Sequence, residues 1–266
     1  MPKRQSKEAN NSSSFANTLV IERNLKSATF KNPVVICGFV GPGLAGLTAA
    51  GYIIGHLQLH EAAHVMSRYI PPSVIFIGGK IRNPFRIYRD TSGSLAVVIC
   101  EVPVVASGLF DISSSLIRWF GQSNPSEFVV LDGIPIESLP ETRPTFYVAN
   151  EERQNGLKSL GFLPAEATLI GGTAGSILSE CVARDINCLS LLAPVSITLM
   201  DPGAPLALVS ALNLLYKLNI ATSELEQDVE MVHNELNEIR KQYQKLQEQA
   251  NAAKGDGSNG GQNMYR

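Results

Sequence analysis

The sequence has little net charge: 22 Lys and Arg oppose 24 Asp and Glu, giving −2 and a pI near 6.1. Nucleic-acid binding usually needs a clear basic excess, so a nucleic-acid partner is not expected. Cysteine is scarce. Cys37, Cys100, Cys181 and Cys188 lie in apolar surroundings without a C-x-x-C pair, which argues for buried free thiols in a reducing cytosol rather than a disulfide framework. A long apolar run is also missing. No charge falls between Lys31 and Glu61, but Pro33, Gly38, Gly41, Pro42, Gly43 and Gly46 interrupt that stretch, and a membrane span needs about 20 unbroken apolar residues. The polar opening MPKRQSKEANNSSSFAN lacks the apolar region of a secretory signal. There is no G-x-S-x-G, and no Ser or Cys is paired with a His by a local pattern, so nucleophilic catalysis has no visible support.

What is present is enough apolar sequence, 44% of the chain, for one good-sized core. Residues 1–17 read as a polar leader, and 18–220 as an α/β domain. Expected strands are 18–22, 34–40, 73–77, 95–102, 127–132, 145–149, 168–171 and 188–194. Several are apolar on consecutive residues, as strands covered on both faces must be. Expected helices are 44–69, 111–121, 153–160, 175–184 and 203–220, with Asp111 and Asp201 at N-terminal caps and Pro205 in a first turn. The alternation predicts a three-layer α/β/α sandwich of phosphorylase or hydrolase type.

Beyond it, Leu225, Val229, Val232, Leu236, Ile239, Tyr243 and Leu246 are spaced four and three in strict alternation. This is a heptad seam among Glu, Gln, Lys and Asn, and it predicts a coiled-coil helix over 221–250. So narrow a stripe needs a partner helix, and homo-oligomerisation is the expectation; the alternative is folding back on the domain. Residues 251–266 follow as a Gly-, Ser- and Asn-rich linker of about 20 Å root-mean-square span, ending in Met264, Tyr265 and Arg266.

Two internal motifs suggest chemistry. Gly41-Pro42-Gly43-Leu44-Ala45-Gly46 matches G-x-G-x-x-G between a strand and a helix, a spacing that admits a pyrophosphate. The next expected strand, however, runs into Gly78-Gly79-Lys80 without the carboxylate that would hold a ribose, so a tight packed turn is the simpler reading; Gly171–Gly175 is read likewise. His60-Glu61-Ala62-Ala63-His64 is a literal H-E-x-x-H. On a helix its histidines would share a face and could hold zinc, with Glu61 as general base and a remote Glu101 or Asp132 completing the site. The alternative to that zinc-dependent hydrolase is a histidine-rich surface, and neither cofactor nor metal is expected.

The stretches PVVICGFVGPGLAGLTAAGYII, ATLIGGTAGSIL, NCLSLLAP and DPGAPLALVSALNLLYKL, in this order over about 18–225, resemble the proteasome assembly chaperone family in its archaeal form. Met264-Tyr265-Arg266 is similar to the terminal hydrophobic–tyrosine–any motif of proteasome activators. The resemblance implies an α/β/α sandwich related to nucleoside phosphorylases, without catalytic activity, whose glycine loop carries no nucleotide. It also implies a cytoplasmic protein whose partner is the α-ring of the proteasome core particle, engaged without ATP.

Overall fold

The computed structural model describes residues 17–23, 30–140, 142–166, 168–196 and 201–230. The first strand, β1 (Thr18–Glu22), is followed by β2 (Val34–Phe39), α1 (Ala45–His56), β3 (His60–Ser67), β4 (Ile75–Ile77), β5 (Lys80–Arg82), β6 (Phe85–Arg89) and β7 (Leu95–Cys100). Then come α2 (Leu109–Gly121), β8 (Glu127–Pro135), β9 (Phe146–Ala149), α3 (Glu151–Ser159), β10 (Leu163–Pro164), α4 (Gly172–Ala183), β11 (Cys188–Val195) and α5 (Gly203–Tyr216).

Nine strands form one mixed sheet in the order β1-β3-β6-β7-β2-β8-β11-β9-β10. Its centre, β7-β2-β8-β11, is parallel, while β6 and β9 run against it on either side. The central strands are buried along almost every residue, which explains their unbroken apolar runs. Alternate side chains enter two cores. Ile36, Val97, Val129 and Leu191 meet α1 and α5 on one face. Val35, Val98, Val130 and Cys188 meet α2 and α4 on the other. The three expected layers are therefore present.

Several local expectations need correction. The helix expected over 44–69 ends at His56, and β3 takes its second half. Leu59, Ala63 and Val65 are buried there, and β3 bonds to both β1 and β6, so sheet pairing overrides the helical reading of that segment. Residues 75–77 pair only with β5, in a separate two-stranded ribbon, rather than entering the main sheet. Residues 168–171 are not a strand, whereas β6 and β10 were not anticipated. Asp111 lies within the first turn of α2, which starts at Leu109 after Gly108, so it is no cap; as an acid in that turn it still suits the helix dipole. Asp201 does act at the start of α5, its Oδ1 accepting the Gly203 N–H at 3.0 Å. Among the described residues, no helix is long and apolar enough to cross a membrane.

Candidate functional site

Met264, Tyr265 and Arg266 lie outside the described residues, as do Val232, Leu236, Ile239, Tyr243 and Leu246. What is described is the root of the C-terminal arm that carries them. The helix expected over 203–220 stops at Tyr216, because Lys217 turns into the left-handed region at φ 53° while its N–H still bonds Asn213 O. Residues 217–222 are non-helical, and helix resumes at 223.

This six-residue break is held by side chains of the domain. The Asn213 amide donates to the Ile220 carbonyl at 2.8 Å and accepts the Ile220 N–H at 2.9 Å, and Ile220 is buried. Tyr52 Oη donates to the Ala221 carbonyl at 2.8 Å, and the Ala221 N–H is given to His56 Nε2 at 3.2 Å. His56 must therefore be unprotonated at Nε2, and its ring stacks on Tyr52 at 5.8 Å. On the other side of the break, the Tyr216 hydroxyl donates to Glu127 Oε2, while Arg153 grips both Glu127 oxygens at 3.0 and 3.1 Å. Burial, helped by the Glu127 carboxylate, pushes the Tyr216 phenol up.

The heptad seam begins on this body. Leu225 is 5% exposed within the α1–α5 core, and Val229 is half-buried. Val229 lines a groove of about 410 Å³ with Phe162, Leu206, Ala207, Ala211 and Leu214. Arg143 lies at the groove, ion-paired to Asp201 at 3.0 Å. Leu225 thus packs on its own domain and Val229 borders a groove on it, so the alternative of folding back describes the start of the helix.

The rival motifs are occupied by structure. A Cβ on Gly46 would lie 1.9 Å from the Leu131 carbonyl oxygen, one on Gly38 would strike the Gly46 carbonyl at 2.3 Å, and one on Gly43 would meet Val195 at 2.8 Å. These glycines let α1 lie directly on β2 and β8, and Gly43 also supplies a positive φ of 60°. This is the packed turn expected from the missing carboxylate. His60 to His64 lie on β3, not on a helix, so the helical face that a zinc hydrolase needs does not form; His60 is exposed, and Glu61 is ion-paired with Arg23 at 2.8 Å and Arg82 at 3.4 Å. Among the described residues, no group of three His, Cys, Asp or Glu side chains is placed to hold a metal ion.

All four cysteines are buried and free, and burial raises the Cys100 thiol to about 11. The sequence reading offered Asp132 only as a remote zinc ligand and missed its buried setting, toward the carboxyl end of β8 beside Gly41. Burial lifts its carboxyl to about 6, against the opposing effect of the Gly133 N–H that it accepts at 2.9 Å. Glu127, Arg153 and Asn213 were missed as well, since their partners come from 7 to 89 residues away and leave no local pattern.

Comparison with known proteins agrees with this architecture. A protein of unknown function from Thermoplasma acidophilum superposes with a TM-score of 0.71 at 41% identity, over 84% of this chain and 91% of its own. Pyrococcus furiosus PbaA, an archaeal homolog of proteasome-assembly chaperone, gives 0.76 at 21% identity, over 91% of this chain and 99% of its own. PbaB from the same organism, an archaeal proteasome activator, gives 0.74 at 19% identity, over 85% and 100%. Residues 35–240 match the PAC2 family, from the second strand through α5 and into the arm, and the chain belongs to that family.

Proposed function

We propose that this chain is a non-enzymatic, ATP-independent, cytoplasmic proteasome-binding protein, an activator or assembly chaperone. It docks Met264, Tyr265 and Arg266 into pockets between α-ring subunits of the core particle. The observation that carries the reading is the terminal Met-Tyr-Arg after a glycine-rich strap, in a chain whose fold is that of PbaA and PbaB. An apolar side chain and a ring beside a free carboxylate have no folding role on such a strap.

In the bound state the Arg266 carboxylate pairs with a pocket lysine, a contact favoured where water is excluded. Tyr265 buries its ring while its hydroxyl meets a polar group, and Met264 adapts to an apolar groove. The Arg266 side chain matters least, because the motif leaves that residue type open. A three-residue contact is weak by itself, since association costs several kcal/mol before any gain. A homo-oligomer held by the seam from Val232 onward would present several tails together and raise the effective concentration of each. The clamped break at 217–222 supports this reading by giving every arm a common root.

The test is a pull-down of core particle by the full chain, by a chain lacking residues 264–266, and by one extended beyond Arg266. Binding by the first alone is expected. Equal binding by all three rejects the docking mode.

A further inference from the structure

The amino ends of β2, β8 and β11 border a cavity of about 450 Å³, lined there by Val34, Glu127 and Cys188. Asn150 and Asn187 on its wall are exposed, so it communicates with solvent. Of the four cysteines only Cys188 borders this cavity. Its residue is 7% exposed, whereas Cys37, Cys100 and Cys181 are 0%, 1% and 0% exposed, so a small solute reaches one thiol before the others.

Cys188 does not stand alone. The chain reverses between α4 and β11 at Asp185, which has a positive φ of 56°, and the Ile186 N–H then bonds the Cys181 carbonyl at 2.9 Å. Cys181, Ile186 and Cys188 all pack in the core beneath α2 and α4. There the Cys181 S–H donates to the Cys188 sulfur. This hydrogen bond makes Cys188 the more readily ionised of the two, against burial and the nearby Glu127 carboxylate, and it holds the proton on Cys181. Among the described residues, no third His, Cys, Asp or Glu is placed to turn the pair into a metal site.

We infer that Cys188 and Cys181 form a peroxide-sensitive dithiol, with Cys188 the attacking sulfur and Cys181 the resolving one, which closes to a disulfide in the folded chain. Hydrogen peroxide is little larger than water, which occupies roughly 30 Å³, so the cavity admits it freely. The Cys188 thiolate attacks one peroxide oxygen. An S–O bond forms, the O–O bond breaks, and the released hydroxide takes up the proton that Cys188 had lost. The Cys181 sulfur then attacks the Cys188 sulfur. The S–S bond forms, the S–O bond breaks, and the leaving hydroxide carries off the Cys181 proton as water. Both thiols are oxidised, and the peroxide is reduced to water. In a reducing compartment such bridges are transient and redox-sensing, which is compatible with free thiols in the resting fold. This chemistry is independent of Met264, Tyr265 and Arg266.

The test adds hydrogen peroxide to the reduced, folded full chain and then reads its mass and thiols under denaturing conditions. The mass should fall by about 2 Da, and maleimide-reactive thiols should drop by about half. Trypsin cuts after Arg184, between the two cysteines. The bridge should therefore appear as two peptides joined through Cys181 and Cys188 and parted by dithiothreitol. Cys181→Ser should stop at the Cys188 sulfenic acid, which dimedone traps, whereas Cys37→Ser and Cys100→Ser should still bridge. A parent that keeps all its thiols, a bridge through Cys37 or Cys100, or a folded Cys181→Ser chain that dimedone leaves unmarked at Cys188 overturns the assignment. The parental peptide map uses no substitution, so it decides the bridge even where a serine variant does not fold.

Discussion

Asn213 reads Ile220 as a neighbouring strand would, giving one hydrogen bond to its carbonyl and taking one from its N–H. The seven-residue separation spans the end of α5 and the left-handed Lys217, so one amide sets the direction in which the C-terminal arm leaves the domain. Asn213→Ala leaves the buried Ile220 backbone with two unmet groups. The expected cost is about 2–3 kcal/mol in denaturant unfolding. Hydrogen exchange over 217–225 should rise beyond the global change, whereas unchanged exchange there would mean that Asn213 does not hold the break.

Tyr265→Ala should weaken core-particle binding at least tenfold, while the unfolding midpoint stays within measurement error. Arg266→Ala should retain most of the binding, because the terminal carboxylate remains. Surface plasmon resonance on immobilised core particle, compared with thermal melts of the same samples, distinguishes loss of docking from loss of fold.

Gly46 and Gly51 sit in the same helix and should respond in opposite ways. An added methyl at Gly46 meets the Leu131 carbonyl at 1.9 Å, whereas nothing lies within 4 Å of one at Gly51. Gly46→Ala should separate α1 from the sheet and cost several kcal/mol. Gly51→Ala should stabilise by about 0.5–1 kcal/mol through helix propensity. Matched melts of the two variants check both signs.

Asp132 makes the domain less stable when ionised. Its carboxyl titrates near 6 in the folded chain, above the ordinary carboxylate range that it has when unfolded. The folded state therefore binds the proton more tightly, and this group's contribution to stability rises as pH falls from about 6 to about 4. The full effect is at most roughly 2–3 kcal/mol. Asp132→Asn should raise the unfolding free energy at pH 7.5 by part of that amount. The difference between variant and parent should shrink on acidification, and a constant difference across this range would show that burial does not raise this carboxyl.

Much of the fold was legible because buried parallel strands impose a strong local signature. VVICGF, LAVVIC and CLSLLAPV are apolar at successive positions, and no exposed element tolerates that. The segment 60–67 was misread because an amphipathic strand and a helix share short apolar runs, and the pairing that decides between them comes from β1 and β6, more than 20 residues away. The glycine turn was read correctly from a missing carboxylate, though the atoms filling its space, Leu131 O and Val195, came only with the fold.

The sequence alone determined the layered α/β class, the glycine turn, the heptad spacing and the terminal Met-Tyr-Arg, since each depends on residue type and near-neighbour spacing. Tertiary structure decided that His60-Glu61-x-x-His64 is a strand, that Leu225 belongs to the domain core, and that Asn213 fixes the arm. Those outcomes rest on contacts between distant segments, whose energies no local window of sequence contains.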